Sequence, residues 1–265
     1  MKRHGALFLL HMQDVLQYKL RSFVWMLVNC TGIGILIIFW MAKIHSNPSA
    51  YSVADLQVLI SYYLLMLLCG NVLISHTETD VSVLDVQKGE LSNYLLKPIS
   101  YLQMKFYGEI NWRILSGFWA VLLLIGVRIA GFPIHITQSV GMLLLFLISA
   151  CLGFLVSFLL TMILGLSAIW VTSTKGLFEL YEVVLLLFTG SMIPLSHFPE
   201  QFKSIVYLTP FASILPIPVE FLQGIPEGTT ILWRLGLQFI WLTVFYLFYR
   251  VIWKAGVRAY SGVGQ

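Results

Sequence analysis

SVGMLLLFLISACLGFLVSFLLTMILGLSAIWV occupies residues 139–171, and this stretch contains no charged side chain. An α-helix of about 20 apolar residues crosses the roughly 30 Å hydrocarbon core of a bilayer. The stretch is therefore long enough for one membrane span with residues to spare. We end the predicted span at Leu164 and interpret residues 165–175 as a turn that leads to the next span.

Five other stretches are also apolar and long enough to cross a bilayer. Together with the first, they give predicted spans at residues 23–42, 56–74, 110–130, 139–164, 176–193 and 231–251. Ahead of them, polar residues such as His11, Asp14 and Arg21 recur at helical spacing, which predicts a helix lying in the membrane interface over residues 1–21. The predicted fold is all-α: a single polytopic transmembrane domain of six spans over residues 1–265.

The composition argues against a soluble protein. Charged residues make up 11% of the chain and hydrophobic residues 58%, whereas a soluble domain carries about 25% charged residues. We attribute the net charge of +4 to basic residues that orient the protein in the membrane, and not to nucleic-acid binding. The three cysteines lie far apart in apolar runs and predict neither a disulfide nor a metal site. The sequence contains neither a glycine-rich phosphate loop ending in Gly-Lys-Ser/Thr nor a grouping of serine, histidine and an acid. We therefore expect that the chain is not an enzyme.

The distribution of lysine and arginine predicts the orientation, because cytoplasmic loops are enriched in these residues. With the amino terminus inside, twelve lie on the inner side: Lys2, Arg3, Lys19, Arg21, Lys88, Lys97, Lys105, Arg113, Lys175, Arg250, Lys254 and Arg258. Four lie on the outer side: Lys43, Arg128, Lys203 and Arg234. We therefore expect both termini in the cytoplasm and the protein in a cell membrane, the bacterial cytoplasmic membrane.

The inner connection, residues 76–109, contains the sequence VQKGELSNYLLKP at residues 86–98. Leu91, Tyr94 and Leu95 have the spacing of one apolar helix face. Gly89 before them and Pro98 after them bound the element. The sequence predicts a short amphipathic helix tied to the second and third spans. It either packs on its own bundle or the lipid surface, or it docks another protein.

The outer connection, residues 194–230, is apolar although it is rich in proline. Six of the nine prolines lie here: Pro194, Pro199, Pro210, Pro216, Pro218 and Pro226. A solvated loop would be more polar. The pattern predicts short extracellular helices, broken by prolines, that re-enter the outer leaflet, where backbone is tolerated only if protein or a cavity surrounds it.

Both connections resemble a known family. Gly89-Glu90-Leu91 followed by Leu95-Leu96-Lys97-Pro98 resembles the cytoplasmic signature of the type-2 ABC exporter permeases. The outer sequence GSMIPL at residues 190–195, together with Phe198-Pro199, Pro210-Phe211, Pro218 and Gly224, is similar to that family's fifth-span exit and extracellular helices. The six spans and the interfacial start fit as well. The chain looks most like the small stand-alone permeases that are encoded apart from their ATPase.

The resemblance implies a half-transporter that pairs with a second permease, a sister rather than an identical copy, above two ABC ATPase subunits. ATP and Mg would then be bound by the ATPases, and we expect no cofactor on this chain. The ATPase-coupling residues would be Lys88, Gly89, Glu90, Leu91, Tyr94, Leu95, Leu96, Lys97 and Pro98. The extracellular cap would contain Gly190, Pro194, Phe198, Pro199, Pro210, Phe211, Pro218, Glu220 and Gly224.

Four charged residues fall at or within predicted spans: Glu109, Arg113, Glu179 and Glu182. Charges at membrane depth are costly and usually face a bundle interior or water. They are candidates for a cavity lining or gate, or for structural pairs such as Glu109 with Arg113, or Arg113 with Glu179 or Glu182. An alternative function follows from the first interpretation: an ion-coupled secondary transporter that uses Glu179 and Glu182 as carriers.

Overall fold

The computed structural model describes residues 2–46, 53–132 and 134–260, which contain helices and connections but no strand. In chain order, the α-helices are α1 (Lys2–Gln17), α2 (Lys19–Ser46), α3 (Val53–Leu73), α4 (Leu91–Leu95), α5 (Tyr101–Ile129), α6 (Val140–Leu166), α7 (Lys175–Phe188), α8 (Glu200–Leu208), α9 (Pro210–Ile214), α10 (Pro216–Gln223) and α11 (Thr229–Ala259). A π-helix covers Asp80–Gln87, and 3-10 turns cover Ser167–Ile169 and Leu195–His197. The predicted all-α class is confirmed; Met1 and residues 261–265 of the predicted domain lie outside the described residues.

Five helical stretches of the described residues are long and apolar enough to cross a membrane: Lys19–Ser46, Leu56–Leu73, Tyr101–Ile129, Val140–Ile169 and Thr229–Ala259. They correspond to five of the six predicted spans and make the chain a multi-pass membrane protein. The predicted span at residues 176–193 corresponds to α7, whose 14 residues extend about 21 Å. That length falls short of the roughly 30 Å hydrocarbon core. A sixth crossing therefore needs the residues that follow α7, and the number six stays a prediction.

The helix bundle has two distinct ends. At the end that we call basal, Asn111 near the start of α5 donates a hydrogen bond to the carbonyl of Phe8 in α1 at 3.0 Å. The last turns of α11 lie at the same end, where the ring of Trp253 stacks on Tyr101 at a centroid distance of 4.9 Å. Both ends of the described chain, the π-helix and α4 thus lie on one side of the bundle. The opposite end, covered by α8, α9 and α10, is the cap end.

Helix α6, from the stretch quoted first, forms the centre of the bundle. Its side chains Val156, Met162 and Leu166 are completely buried, and it packs against α11, α10 and α9. At its basal end, Gly165 lies so close to the π-helix that a Cβ atom there would be 2.6 Å from the Cβ of Val81. The absence of charge in this helix fits this position: one face packs in the bundle, and the other exposes apolar residues such as Leu144 and Leu147, as a face towards lipid would.

The cap helices reach the middle of the bundle. A Cβ atom on Gly153 would lie 2.7 Å from the carbonyl oxygen of Ile214 and 2.8 Å from that of Ser213. Gly153 is about 20 Å along α6 from Val140, so the end of α9 lies deep inside the membrane-spanning part. The short helices expected from the proline-rich sequence are present and pack inside the bundle, whereas their re-entry into the outer leaflet stays a prediction. Their position also explains why α7 is short, because the cap fills the space where an upright helix would continue.

Helix boundaries differ from the predicted spans mainly at the basal end. The third predicted span, residues 110–130, belongs to α5, which already begins at Tyr101. The last quarter of the predicted inner connection, residues 76–109, therefore belongs to α5. Likewise α11 continues to Ala259, beyond the predicted end of the sixth span at residue 251. In both cases the helix extends past the apolar run, because a span needs apolar residues only within the hydrocarbon.

We predict that Gly153→Ala destabilises the protein by about 1–3 kcal/mol, because the added methyl group meets two backbone carbonyl groups that cannot move independently. The apparent unfolding temperature in detergent measures the effect. Gly126→Ala is the matched control: nothing lies within 4 Å of its Cβ position, and alanine is a better helix former than glycine. A Gly153→Ala protein that melts at or above the wild-type temperature would contradict the close packing of α6 and α9.

Candidate functional site

The connection between α3 and α5 at the basal end forms one compact unit, which we call the connector (residues 74–100). The π-helix Asp80–Gln87 ends where the backbone N–H of Lys88 donates to the carbonyl of Val83 at 3.1 Å. Gly89 follows with a positive φ of 81°, a conformation that glycine adopts without steric cost. The chain then turns into α4. The turn expected at Gly89 is therefore present, whereas the π-helix has no obvious sequence signal.

A buried acidic side chain fixes the connector to α5. The Asp85 carboxylate is 2.5 Å from the Lys105 ammonium and only 1% exposed, and it accepts a hydrogen bond from the Tyr101 hydroxyl. Burial raises the pKa of the Asp85 carboxyl, and the ammonium and hydroxyl groups counteract only part of this shift. Removing a charge from water is costly unless it is paired, so the two partners of Asp85 are what make its burial possible.

Hydroxyl groups fix the connector to α6 and to the chain beyond it. The backbone N–H of Ser75 donates to Ser157 at 2.8 Å, and the hydroxyl groups of Thr77 and Thr161 lie 2.9 Å apart. On the other side, Ser82 and Thr174 share a hydrogen bond of 2.7 Å between their hydroxyl groups. The start and middle of the connector are thus held by polar contacts inside the protein.

Helix α4 presents its apolar residues in two directions. Leu91 is completely buried in the main core, and Tyr94 packs partly against that core. Leu95 and Leu96 point away from the bundle and are 43% and 85% exposed. The Lys97 ammonium lies 4.9 Å from the centre of the Tyr94 ring, a cation–π contact. The predicted face of Leu91, Tyr94 and Leu95 is therefore divided: Leu91 anchors the helix, and Leu95 and Leu96 form an apolar tip.

The remaining predicted coupling residues surround this tip. Lys88, Glu90 and Pro98 are exposed, and Gly89 is half-buried beneath them. Glu90 caps the start of α4, as its position in the sequence predicts, although its side chain makes no capping hydrogen bond. Together these residues form an exposed patch of mixed charge around two leucines.

The four candidate cavity residues form two separate arrangements. Arg113 Nε lies 2.6 Å from Glu109 Oε1, and both side chains are buried. Arg113 also donates to the carbonyl of Asn71 at 3.3 Å. The Glu109–Arg113 pair expected from their spacing is thus present. Among the described residues, Arg113 makes no salt bridge with the glutamates of α7.

The glutamates of α7 have different partners. Glu179 Oε1 lies 3.8 Å from the Lys175 ammonium in a largely exposed pair. Glu182 Oε1 lies 3.5 Å from His76 Nδ1, and Glu78 Oε1 lies 3.8 Å from the same nitrogen. Desolvation lowers the pKa of His76, but the neighbouring carboxylates of Glu182 and Glu78 favour the protonated imidazole, outweigh this and raise the pKa to about 9. No pattern in the sequence connects His76 and Glu78 with α7.

The predicted cap residues lie where the short helices begin, end or pack. Pro194 and Pro199 precede a 3-10 turn and α8, Pro210 is the first residue of α9, and Pro218 lies buried in the first turn of α10. Gly190 and Gly224 have positive φ values of 73° and 74°. Phe198 packs against Phe202 at a ring distance of 4.8 Å, and Phe211 packs against Phe188 at 5.9 Å.

Glu220 joins the cap to α11. Its carboxylate forms a salt bridge with Arg234, and both side chains are mostly buried. The Tyr207 hydroxyl donates a hydrogen bond to the same carboxylate, and the Arg234 guanidinium lies 5.1 Å from the centre of the Tyr207 ring. Glu220 therefore ties α8, α10 and α11 together, as its position in the apolar cap suggested.

These features define a multi-pass α-helical membrane protein with a rigid connector at the basal end and a cap of short helices at the other. The model of the family described as ABC-2 family transporter protein matches residues 23–264, and the chain belongs to this family. It is thus an ABC-2 type permease, the membrane component of such a transporter and not its ATPase. No curated protein matches the chain.

We predict that Arg234→Met destabilises the protein by about 3 kcal/mol, because it leaves the Glu220 carboxylate buried without a cation. The double variant Glu220→Gln/Arg234→Met should recover part of this loss. The apparent unfolding temperatures of the three proteins give the comparison. Lys203→Met serves as control, since it removes an exposed cap salt bridge with Glu200 at 3.4 Å that is worth at most about 1 kcal/mol. A double variant less stable than Arg234→Met would contradict the pairing.

Proposed function

We propose that this permease is the transmembrane subunit of an ATP-driven ABC exporter and that separate ATPase subunits dock on α4 at its basal end. The observation that carries the proposal is the apolar tip of Leu95 and Leu96, held on a connector that is otherwise fixed by buried contacts. Leu96 is 85% exposed. An exposed leucine pair on a rigid element is suited to fill a pocket on a partner, as anchor residues in protein interfaces do.

The contacts of the connector support mechanical coupling. Asp85 and Lys105 join it to α5. At the far side of α4, the hydroxyl groups of Ser92 and Tyr260 lie 3.5 Å apart, so α4 also meets the end of α11. A displacement of α4 by an ATPase would therefore act on two membrane helices at once. In this proposal the basal end and both termini are cytoplasmic, ATP and Mg are bound by the ATPases, and the membrane is the cytoplasmic membrane of a bacterium.

Exposed polar side chains support pairing with a second permease. Asn29 of α2 is exposed and donates to Asn71 of α3 at 3.1 Å. His76 of the connector and Glu182 of α7 are both half-exposed. Such groups are unfavourable against lipid and face a bundle interior or a water-filled cavity. We infer that a second permease, a sister chain in our proposal, covers such groups and completes a pathway that moves substrate out of the cytoplasm or the inner leaflet.

In the alternative function, an ion-coupled secondary transporter, Glu179 and Glu182 would carry the ion. Glu179 forms a largely exposed pair with Lys175, which does not provide the enclosed site that a carried ion needs. Membership of the ABC-2 family favours the ATP-driven proposal. Transport that follows a pH or sodium gradient in the absence of ATP would instead support the alternative.

We predict that Leu96→Asp lowers the retention of the ABC ATPase at least about tenfold, because it places a charge in a desolvated contact. The tagged full-length protein is purified from membranes of the source cells, and the ATPase is identified by peptides that contain its nucleotide-binding motifs. The unfolding temperature should stay at the wild-type value because Leu96 has almost no contacts within the chain. Leu91→Asp is unsuitable for this test, since Leu91 is completely buried and its replacement would unfold the connector.

Ile225→Asp is the matched control at the cap end, where the side chain is 55% exposed. It should retain the ATPase fully. The proposal fails if the wild-type protein retains no ATPase, or if Leu96→Asp and Ile225→Asp retain it equally well.

A further inference from the structure

His76, Glu78 and Glu182 bring three metal-binding atoms to one place. One imidazole nitrogen and two carboxylate oxygens lie within 4.8 Å of one another. His76 and Glu78 belong to the connector and Glu182 belongs to α7, so the cluster joins two elements that are distant in the sequence. The proposal that an ATPase docks on α4 makes no use of this cluster.

The spacing of the three atoms suits a small divalent cation. His76 Nδ1 lies 3.5 Å from Glu182 Oε1 and 3.8 Å from Glu78 Oε1. Zinc binds nitrogen and oxygen at roughly 2.0–2.2 Å, which places neighbouring ligands of a tetrahedral site about 3.4 Å apart. Small side-chain rotations would bring all three atoms to that distance, and a fourth position would stay open on the exposed side of His76 and Glu182.

The charges of the cluster also favour a cation. Two carboxylates surround one imidazole, which releases its proton when a metal ion binds. The Arg113 guanidinium, which acts on His76, is paired with Glu109 at 2.6 Å. Glu78 is nearly completely buried, and its Oε2 atom has no hydrogen-bond partner among the described residues. A buried carboxylate oxygen without a donor is costly, and a metal ion held by both oxygens of the Glu78 carboxylate would remove that cost.

We propose that His76, Glu78 and Glu182 form a binding site for a divalent transition-metal ion of the Zn²⁺ type, which bridges α7 to the connector. One histidine and two glutamates with an open fourth position are a ligand set that zinc accepts. The imidazole disfavours Mg²⁺ and Ca²⁺, which prefer oxygen ligands. No metal site was expected from the sequence, because its three ligands are brought together only by the fold.

A bound ion would restrain the motion of α7 relative to the connector. Apart from this cluster, two hydrogen bonds hold the chain at the start of α7 to the connector: the one between Ser82 and Thr174, and one from the Gln87 amide to the carbonyl of Thr172 at 3.4 Å. Metal binding would thus stabilise one position of α7 relative to the connector. The site would regulate the permease or hold it together, whatever substrate is carried.

The test is a Zn²⁺ titration of the full-length protein in lipid nanodiscs, with a non-histidine tag and a fluorescent zinc chelator as competitor. We expect one Zn²⁺ per chain and a rise in unfolding temperature on binding. Each of His76→Asn, Glu78→Gln and Glu182→Gln should weaken binding at least about tenfold. Glu182→Gln is the most informative variant, because this half-exposed, isosteric change is the least disruptive to the fold.

Glu179→Gln, one turn away on α7, and His45→Asn, at the far end of α2, are the matched controls and should bind Zn²⁺ like the wild type. The proposal is overturned if the cluster variants and the controls bind Zn²⁺ equally, or if equimolar Mg²⁺ displaces the bound Zn²⁺. Since no ATPase takes part in this measurement, its failure would leave the exporter proposal intact, and failure of ATPase retention would leave the metal site intact.

Discussion

Backbone polar groups at membrane depth need hydrogen-bond partners inside the protein, and the Gln238 amide of α11 supplies them where the cap meets the bundle. It donates to the carbonyl of Ser213 in α9 at 2.8 Å and to that of Ser149 in α6 at 3.0 Å. Gln238 is completely buried. Without this amide, the end of α9 could not lie in the apolar centre of the bundle at an acceptable energy.

The depth of the cap determines much of the remaining architecture. Because α9 reaches Gly153 in the middle of α6, α7 meets the cap helices at Phe188 and Phe211 instead of continuing across the bilayer. Glu182 lies two turns after the start of α7 at Lys175, which leaves it in the basal half, close to His76. Helix α7 thus contacts the connector near its start and the cap near its end.

Local sequence signals were sufficient wherever a feature depends on neighbours along the chain. The apolar run in residues 139–171 predicted α6, the prolines and apolar residues of 194–230 predicted a cap of short helices, and the spacing of Glu109 and Arg113 predicted their pair. The contact of His76 with Glu182 could not be predicted in this way, because the two residues belong to different elements that only the fold brings together. The burial of Asp85 was missed for the same reason, since it depends on the packing of the π-helix against Lys105 and Tyr101 of α5.

The burial of Asp85 bears on how the basal end would respond to a force. A charge pair enclosed by protein is not screened by water or salt, so its geometry resists displacement more than an exposed pair does. Lys105 is one turn after Tyr101, and both contact the same carboxylate, which joins the π-helix to the first turns of α5 at two points. Tyr101 in turn stacks on Trp253 of α11. These contacts join the connector to α5 and, through Tyr101, to α11, so they give a push on the apolar tip a route to both membrane helices.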